Sequence, residues 1–249
     1  KLVLSLCLII ICYLLYLFVQ TQKHQNSNQT KILTSQESFY SNLKVVENIS
    51  PKEVSRSLEF SNMVGSDCHI TYDKFGVKSR MPTSGFVRMS LGAPNIPRSV
   101  LVLGLGGGCL SHQLRTWLSP AELPKITYVE IDPFVVDVTR EYFFFPPEDQ
   151  IVLEDARSFL NHNVNKFDLV FIDLANDTRN GHGQDHIFSS EFYLRVLQSL
   201  SHHGVIIFNY ISFVNLTDIQ YGKSKFTNTL LNTLENIFTS HHFDIYSVN

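Results

Sequence analysis

Five short apolar runs, separated by segments with helical periodicity, dominate the second half of this 249-residue chain. The runs read SVLVLGL, ITYVEID, QIVLED, FDLVFID and GVIIFNY, and they lie between Ser99 and Tyr210. Continuous apolar runs of this length are typical of strands that are buried on both faces of a sheet. Because strands that alternate with helices pair in parallel through right-handed crossovers, the pattern predicts a Rossmann-like, doubly wound α/β sheet over residues 98–249. A further helix over residues 223–239 and a sixth strand, FDIYSV, are expected to follow.

The N-terminus carries a second distinct feature. Residues 2–19 read LVLSLCLIIICYLLYLFV, and a helix of that length spans about 27 Å, close to the hydrocarbon thickness of about 30 Å. A cleavable signal peptide is the alternative, but its apolar core is only about 7 to 15 residues long and small residues follow it. Here the run ends in FVQTQKH. We therefore predict a single-pass transmembrane anchor over residues 1–20.

A polar segment, residues 21–38, follows the anchor and is rich in Gln, Asn, Ser and Thr. Since it has few side chains to bury, it is predicted to be a stalk. Residues 39–97 contain short β-like pieces such as CHITYD and GFVRMSL between Gly and Pro residues. They are predicted to form a small N-terminal β/α layer that leads into the main domain.

Charge and cysteine content argue against several kinds of site. The formal net charge is only −3 and no dense run of Lys or Arg occurs, so nucleic acid is not expected as a partner. Two of the four cysteines lie in the N-terminal apolar run. The others, Cys68 and Cys109, form no disulfide framework and are predicted to be buried thiols. The histidines and cysteines lack zinc-ligand spacing, so no metal site is predicted.

The first apolar run ends in the glycine-rich stretch Gly104-Leu105-Gly106-Gly107-Gly108. Ligands of doubly wound sheets bind beyond the carboxyl ends of the strands, and glycines let the backbone turn tightly and approach a ligand there. Such a turn is found in many nucleotide binders and also in ordinary tight turns. The loop alone therefore does not identify a ligand.

Acidic residues end the second and third runs. Glu130 follows the glycines by about twenty residues, the spacing at which a carboxylate accepts hydrogen bonds from ribose hydroxyls. Asp132 precedes Pro133 and is predicted to be the N-cap of the next helix. Asp155 ends the third run, where it either accepts a hydrogen bond from an adenine amino group or caps the following helix.

The combined motif series resembles the catalytic domain of the spermidine synthase superfamily. The matching segments, between Val100 and Tyr210, are VLVLGLGGG, ITYVEIDP, EDARSFL, FDLVFIDL and SSEFYLRVLQSLSHHGVIIFN. GLGGG and GVIIFN are more similar to the spermidine-synthase-like methyltransferases, which include eukaryotic methyltransferase-like proteins that modify a lysine or the N-terminus of an elongation factor. The resemblance implies a class I methyltransferase fold and S-adenosylmethionine, or decarboxylated S-adenosylmethionine, as the cofactor.

The resemblance also implies roles for six residues. The matches to the cofactor loop, the ribose-binding acid and the adenine-binding acid are, in that order, Gly104, Gly106 and Gly108, then Glu130, then Asp155. Asp173 matches the aspartate that opens the Asp-Ser-Ser-Asp-Pro loop of aminopropyltransferases and helps to deprotonate the attacking amine. Asp173 is therefore the expected catalytic residue at the acceptor.

Two stretches depart from the aminopropyltransferase pattern. After Asp173 the loop reads Leu-Ala-Asn-Asp-Thr, so the second acid is displaced by one position and no proline follows. Residues 86–89 read Phe-Val-Arg-Met, where the synthases carry Tyr, then Gln or His, then Glu and Met. A fixed guanidinium at about 4 Å repels each charge of a diamine by about 4 kcal/mol at an effective dielectric of about 20. The departures favour an S-adenosylmethionine-dependent methyltransferase whose acceptor is unknown, with a protein amine as one candidate.

Two alternatives to methyl transfer stay open. A polyamine aminopropyltransferase would use the same fold with decarboxylated S-adenosylmethionine. A pseudoenzyme would keep the fold as an interaction or assembly subunit, because a fold does not determine a function. Binding of the two adenosyl cofactors, or of neither, distinguishes the three.

The predicted partners are an adenosyl cofactor, an acceptor and a membrane. Four Asn-X-Ser/Thr sequons suit an extracytoplasmic domain, whereas S-adenosylmethionine is expected mainly in the cytosol, nucleus and organelle matrices. The orientation in the membrane is therefore left undecided. A homodimer or a larger complex is compatible with the resemblance, since superfamily members are often dimers.

Overall fold

In the computed structural model, the residues that the structure describes form two five-stranded sheets with helices against one of them. The described ranges are 29–37, 42–50, 53–60, 66–73, 76–82, 96–174, 189–209, 232–233 and 235–237. The predicted transmembrane anchor and sixth strand lie outside these ranges. Within them, no helix is both long and apolar enough to cross a membrane.

The second sheet is parallel, and its strand order confirms the predicted doubly wound fold. Its strands, in chain order, are β6 (Ser99–Leu103), β7 (Lys125–Glu130), β8 (Gln150–Leu153), β9 (Phe167–Ile172) and β10 (Leu200–Phe208). Their spatial order is β10-β9-β6-β7-β8, so the first strand of the domain lies at the centre and the chain builds outward on both sides. Leu103, the last residue of β6, pairs with Val129 on one side and Ile172 on the other.

Among the residues that the structure describes, four helices connect these strands and cover both faces of the parallel sheet. They are α1 (Cys109–Trp117), α2 (Pro133–Tyr142), α3 (Ala156–His162) and α4 (Ser190–Gln198). Side chains alternate along β6, so Val100 packs with α1 and α2 while Leu101 packs with α3 and α4. Apolar side chains on both faces are why the strands read as continuous apolar runs.

The first sheet is an antiparallel meander of five strands in sequential order. Its strands are β1 (Gln29–Glu37), β2 (Asn42–Ile49), β3 (Val54–Phe60), β4 (Ser66–Asp73) and β5 (Gly76–Pro82). The structure corrects the predicted stalk, because half of residues 21–38, Gln29–Glu37, belong to β1. A strand at a sheet edge needs only backbone pairing with its neighbour, so its polar side chains face solvent. The described residues before Ser99 contain strands and no helix, so the predicted β/α layer is a β-sheet in that part of the chain.

The two sheets share one hydrophobic core. Buried side chains of the antiparallel sheet, among them Leu58 and Ile70, lie in the same apolar cluster as Val102 of β6. The Arg56 guanidinium reinforces this contact, since it donates to the carbonyl of Tyr142 at 2.8 Å and to Glu47 Oε1 at 2.8 Å. The antiparallel sheet is therefore attached to the face that carries α1 and α2.

The prediction for Cys68 and Cys109 was only half right. Both residues are buried, as predicted, but they form a disulfide and are not free thiols. Their positions 41 residues apart, on β4 and at the start of α1, gave no spacing signal. The bond depends on the packing of the two sheets, which a two-cysteine count does not reveal.

Candidate functional site

The glycine loop follows β6 at the carboxyl edge of the parallel sheet. Gly104, Gly106 and Gly108 have φ of 98°, 49° and 69°, in the left-handed region that favours glycine. Gly104 also lies against the end of β9, where a Cβ would overlap the carbonyl oxygen of Asp173. The glycines are therefore required both by the turn and by the close approach of two strand ends.

Thr139 of α2 supports this loop and was missed by the sequence analysis. Its hydroxyl donates to the carbonyl of Gly106 at 2.5 Å, and its side chain is fully buried. Its methyl group lies beside Gly108, where a Cβ would be 3.3 Å away. Apolar periodicity predicts a buried position in α2 but does not single out a threonine that reaches the loop.

Glu130, at the end of β7, contacts the glycine loop directly. Its Oε2 accepts a hydrogen bond from the backbone N–H of Leu105 at 3.0 Å. Its Oε1 accepts from the N–H groups of Ile131 and Asp132 at 2.8 and 2.9 Å. These three donors hold the carboxylate in one orientation at the sheet edge, while its oxygens keep lone pairs for further donors such as hydroxyls.

Asp132 has the predicted role of helix cap. Its Oδ1 accepts the N–H of Phe134 at 2.9 Å, and Pro133 occupies the first helical position. The other carboxylate oxygen, Oδ2, is buried and has no hydrogen-bond partner among the described residues. A buried acceptor of this kind is a position that a bound polar group can satisfy.

Asp155, at the end of β8, is the N-cap of α3. Its Oδ1 accepts the N–H of Ser158 at 2.9 Å, so the capping role that the sequence left open is present. Its neighbour Glu154 donates its backbone N–H to the carbonyl of Glu130 at 2.8 Å. This bond ties the ends of β7 and β8 together, which places Asp155 at the same sheet edge as Glu130.

Asp173 lies directly after β9, beside the central strand. Its backbone N–H donates to the carbonyl of Leu103 at 2.8 Å, which continues the pairing of β9 with β6. Its Oδ1 accepts a hydrogen bond from the side-chain amide of Asn209 at 2.8 Å. Asn209 follows β10 and was not selected from the sequence, because an Asn after an apolar run is also a common turn residue.

The protein environment raises the pKa of both Glu130 and Asp173. Each is therefore a weaker acid and a stronger base than an exposed carboxyl group. Desolvation raises the pKa of Asp173 to about 6, although the Asn209 amide favours ionisation, and the charge of Glu130 adds to the increase. Burial likewise raises the pKa of Glu130, against the backbone N–H groups of Asp132, Leu105 and Ile131. The effect of the Glu130 charge on the pKa of Asp173 places the two carboxylates within electrostatic range of each other.

The structure therefore brings the predicted site residues to one sheet edge. Gly104 separates Glu130 and Asp173 at the centre, and Asp155 lies one strand further out beyond Glu130. The Asp173 loop from residue 175 to 188 and the segment 83–95, which contains Arg88, lie outside the described residues. The departures from the aminopropyltransferase pattern in these segments remain sequence observations.

A protein-family model matches the part of the chain that contains this site. Residues 83–242, more than half of the chain, match the spermine/spermidine synthase domain. The chain belongs to the spermine/spermidine synthase domain family. The matched region contains the parallel sheet, the glycine loop and every predicted site residue, so the resemblance predicted from the motifs is confirmed.

Two curated relatives are named as polyamine aminopropyltransferases, one of them as a probable one. The chain is 32% identical over 120 residues to a polyamine aminopropyltransferase of Alkaliphilus metalliredigens, covering 46% of this chain and 40% of the relative. It is 27% identical over 215 residues to a probable polyamine aminopropyl transferase of Bifidobacterium longum, covering 84% of this chain and 43% of the relative. The chain thus spans less than half the length of these two relatives.

A solved structure shows the same fold. A spermidine synthase in complex with the transition state analogue AdoDATO matches 84% of this chain and 66% of its own, with a TM-score of 0.57 and 19% identity. At this identity the likeness supports the architecture only. It confirms the Rossmann-like class I architecture with its parallel sheet.

These comparisons bear on the choice between methyl transfer and aminopropyl transfer. The expected cofactor, S-adenosylmethionine or its decarboxylated form, agrees with the family. Transferase chemistry of the spermidine synthase type is supported, but the relatives carry the name aminopropyltransferase and not methyltransferase. Methyl transfer, the reaction favoured from the sequence, is therefore less well supported than its aminopropyl alternative.

Proposed function

We propose that this chain transfers an aminopropyl group from decarboxylated S-adenosylmethionine to an amine acceptor. The single observation that carries the proposal is Asp173, a carboxylate at the carboxyl edge whose pKa is about 6. A general base is most effective when its pKa lies near the working pH, and an amine must lose a proton as it attacks. Asp173 is also the family's acid at this position.

The residues at the sheet edge fit an adenosyl group. The oriented carboxylate of Glu130 is suited to accept hydrogen bonds from ribose hydroxyls, and the Gly104–Gly108 loop leaves room for close backbone approach. The negative charges of Glu130 and Asp173 favour a cationic group nearby. The cofactor supplies a sulfonium, which is a good leaving group, so the protein contributes mainly positioning and a proton acceptor.

Asp173 would receive the proton, and the hydrogen bond from Asn209 would hold the Asp173 side chain in place. The bond from Asn209 Nδ2 goes to Asp173 Oδ1, and no described residue donates a hydrogen bond to Asp173 Oδ2, so this second oxygen is the one proposed to face the amine. Above a pH of about 6 the carboxylate is ionised and able to accept the proton. The reaction rate is therefore expected to rise with pH through this value.

A direct test supplies purified full-length protein with decarboxylated S-adenosylmethionine and putrescine, then measures methylthioadenosine and the aminopropylated amine. Formation of both in equal amounts supports the proposal. Tight binding of the cofactor with no transfer to any of a panel of amines contradicts it. The variant Asp173→Asn is the matched inactive control, because it keeps the shape of the side chain and removes the base.

Methyl transfer is the second candidate, and the loop after Asp173 is the observation that favours it. Its sequence, Leu-Ala-Asn-Asp-Thr, lacks the spacing of the aminopropyltransferase loop. The same assay with S-adenosylmethionine and amine-containing peptides separates the two reactions, because methyl transfer releases S-adenosylhomocysteine. If the protein binds neither adenosyl compound, both enzymatic proposals fail and the pseudoenzyme alternative is supported.

We also propose that residues 2–19 tether this domain to a membrane, with the domain in an oxidising compartment. The buried disulfide supports this location of the domain, since disulfides persist in oxidising compartments. The four sequons agree with the same location. The test is electrophoretic mobility of the cell-expressed protein before and after glycosidase. A shift supports the lumenal or extracellular side. An unshifted protein that is fully sensitive to cytosolic protease contradicts it.

A further inference from the structure

The disulfide between Cys68 and Cys109 lies directly at the end of the glycine loop. Cys109 is the first residue of α1 and follows Gly108 without an intervening residue. Cys68 belongs to β4 of the other sheet, and the two Cα atoms are 5.7 Å apart, within the usual range for a disulfide. The bond therefore joins the C-terminal end of the glycine loop to the antiparallel sheet.

Cys68 also packs against the loop itself. A Cβ built on Gly107 would overlap both Cβ and Sγ of Cys68, so the absence of a side chain at this position lets the disulfide approach the loop backbone. Cys68 has no exposed surface and Cys109 is 8% exposed. The contact is part of the shared core and not a surface link.

The glycine loop needs such support. Three of its five residues have positive φ, and glycine loses more conformational freedom than any other residue when it is ordered. Its N-terminal end is fixed by the pairing of Gly104 N–H with the carbonyl of Val129 at 2.8 Å. Its C-terminal end is fixed by the disulfide, which reduces the entropy that would be lost when a ligand orders a loose loop.

We propose that the Cys68–Cys109 disulfide positions the glycine loop for the adenosyl cofactor, so that the oxidised protein binds the cofactor more tightly than the reduced protein. This inference rests on the proposed function, because it assigns the loop to cofactor binding. The two cysteines act through the loop and are positioning residues. They neither carry the transferred group nor exchange protons with the acceptor.

A dithiol reduces the disulfide in two exchange steps. One thiolate of the dithiol attacks a cysteine sulfur, the Cys68–Cys109 bond breaks and a mixed disulfide forms. The second thiol of the reductant then displaces the protein thiol. The reductant leaves as a cyclic disulfide, and two electrons and two protons pass to Cys68 and Cys109. Because both sulfurs are buried, reduction requires local opening of the core and is expected to be slow.

The test compares the native full-length protein with a Cys68→Ala/Cys109→Ala variant and with protein reduced by dithiothreitol and alkylated. Binding of decarboxylated S-adenosylmethionine and S-adenosylmethionine is measured by calorimetry at a temperature where circular dichroism shows each form folded. Loss of the disulfide is expected to weaken binding by about tenfold, since a less ordered loop must be ordered on binding. The Michaelis constant for the cofactor should rise while kcat at saturating cofactor stays within about twofold.

A Cys7→Ser/Cys12→Ser variant is the matched control, since it removes two cysteines of the N-terminal run and keeps the disulfide. It should bind the cofactor as the native protein does. Unchanged affinity in the folded double-alanine variant, or two free thiols at positions 68 and 109 in the native protein, overturns the inference. If the double-alanine variant does not fold, the dithiothreitol arm decides, with mass spectrometry to locate the reduced pair.

A different readout separates failure of this inference from failure of the proposed function. Amide hydrogen exchange of residues 104–109 reports loop order without any ligand. If the native protein binds neither adenosyl compound but exchange in this loop increases on reduction, the proposed function is wrong and the positioning role of the disulfide stands. Exchange that does not change on reduction contradicts the positioning role itself.

Discussion

The side-chain amide of Asn209 donates a hydrogen bond of 2.8 Å to Oδ1 of Asp173, and so joins the ends of two adjacent strands, β10 and β9. This bond favours the ionised carboxylate, whereas desolvation and the charge of Glu130 oppose ionisation. The balance sets the pKa of Asp173 at about 6. Asn209 thus favours the charged form of the proposed base.

Replacement of Asn209 by Leu should shift the acidic limb of the rate profile upward. Leu has a similar size but no donor, so the ionised form of Asp173 loses a hydrogen bond and its pKa rises above about 6. The loss of kcat should be larger at pH 6 than at pH 8. Steady-state rates across this pH range measure the shift.

Asn163→Leu is the matched control for this prediction. Asn163 donates to the carbonyl of Asn165 at 3.0 Å at the other end of the sheet, after α3. Its replacement should leave the pH profile unchanged. An identical profile for Asn209→Leu and the native protein would show that the Asn209–Asp173 bond does not tune the reactive group.

Asp173→Asn should abolish turnover and stabilise the fold at neutral pH. Because the pKa of Asp173 is raised from its ordinary value of 3.8 to about 6, ionisation destabilises the folded state progressively as pH rises between these values, and fully above about 6. Asn removes that penalty, so the free energy of unfolding should rise by about 1–2 kcal/mol at pH 8. The gain should disappear below about pH 3.5, where Asp173 is protonated in both states. Denaturant unfolding at the two pH values checks the sign.

The opposite change in the free energy of unfolding is expected for Asp168→Asn, on strand β9. The hydroxyl of Ser201 and the backbone N–H groups of Arg98 and Ser99 lower the pKa of Asp168 despite its desolvation. Its ionised form therefore stabilises the fold above its ordinary pKa, and that contribution is lost as pH falls. Asp168→Asn should destabilise the protein at pH 8. Stabilisation by both substitutions would reject the electrostatic explanation.

The strands and helices of the parallel sheet and the acids at its strand ends were predictable because their signals are local. The apolar runs extend over a few residues, the pair Asp132–Pro133 specifies a helix start, and Glu130 follows the glycines at a fixed distance. The parallel order also follows from alternation with helices. In these features, the information lies within one element or in its connection to the next.

The supporting contacts were not predictable, because each joins residues that are distant in the chain. Thr139 reaches Gly106 across 33 positions, Asn209 reaches Asp173 across 36, and Cys68 bonds to Cys109 across 41. Thr in an amphipathic helix and Cys in an apolar strand match the patterns of ordinary core residues. Strand β1 was missed for a related reason, since its polar side chains need only a neighbouring backbone to pair with.

Thr139→Val should weaken cofactor binding. The substitution keeps the shape of the side chain but leaves the partly buried carbonyl of Gly106 without its donor, so the loop loses one of its supports. An affinity loss of about threefold to tenfold is expected, corresponding to roughly 1 kcal/mol for one neutral hydrogen bond. Thr139→Ser keeps the hydroxyl and should retain most of the affinity. Equal losses in both variants would assign the effect to packing of the methyl group.

Glu130→Gln should impair cofactor binding more strongly than any other conservative change at the sheet edge. All three backbone donors around Glu130 require an acceptor, and the Gln amide would place its N–H groups against one of them. The loss of charge-assisted bonds to ribose hydroxyls should weaken binding by at least about tenfold. Glu154→Gln, next to Asp155 in the chain, is the control. It should retain affinity, since Glu154 contacts side chains of α3: its Oε1 accepts the Ser158 hydroxyl at 2.6 Å and its Oε2 lies 3.5 Å from His162 Nε2. Calorimetric titration that gives equal affinities for the two variants would remove Glu130 from the site.

Substitutions of Asp155 distinguish its capping role from its proposed contact with adenine. Serine retains the capping role and loses the carboxylate that would contact adenine. Asp155 Oδ1 caps α3 through the N–H of Ser158, and Ser is about as good an N-cap as Asp. Asp155→Ser should therefore keep the free energy of unfolding within about 0.5 kcal/mol, whereas Asp155→Ala should lower it by about 1 kcal/mol.

If the second oxygen accepts a hydrogen bond from adenine, both variants bind the cofactor about tenfold more weakly. Ser189→Ala, which removes the N-cap of α4 that accepts the N–H of Phe192, should lower stability without changing affinity. Native cofactor affinity in Asp155→Ser would leave Asp155 with the capping role only, and would move the adenine contact to another residue at the end of β8.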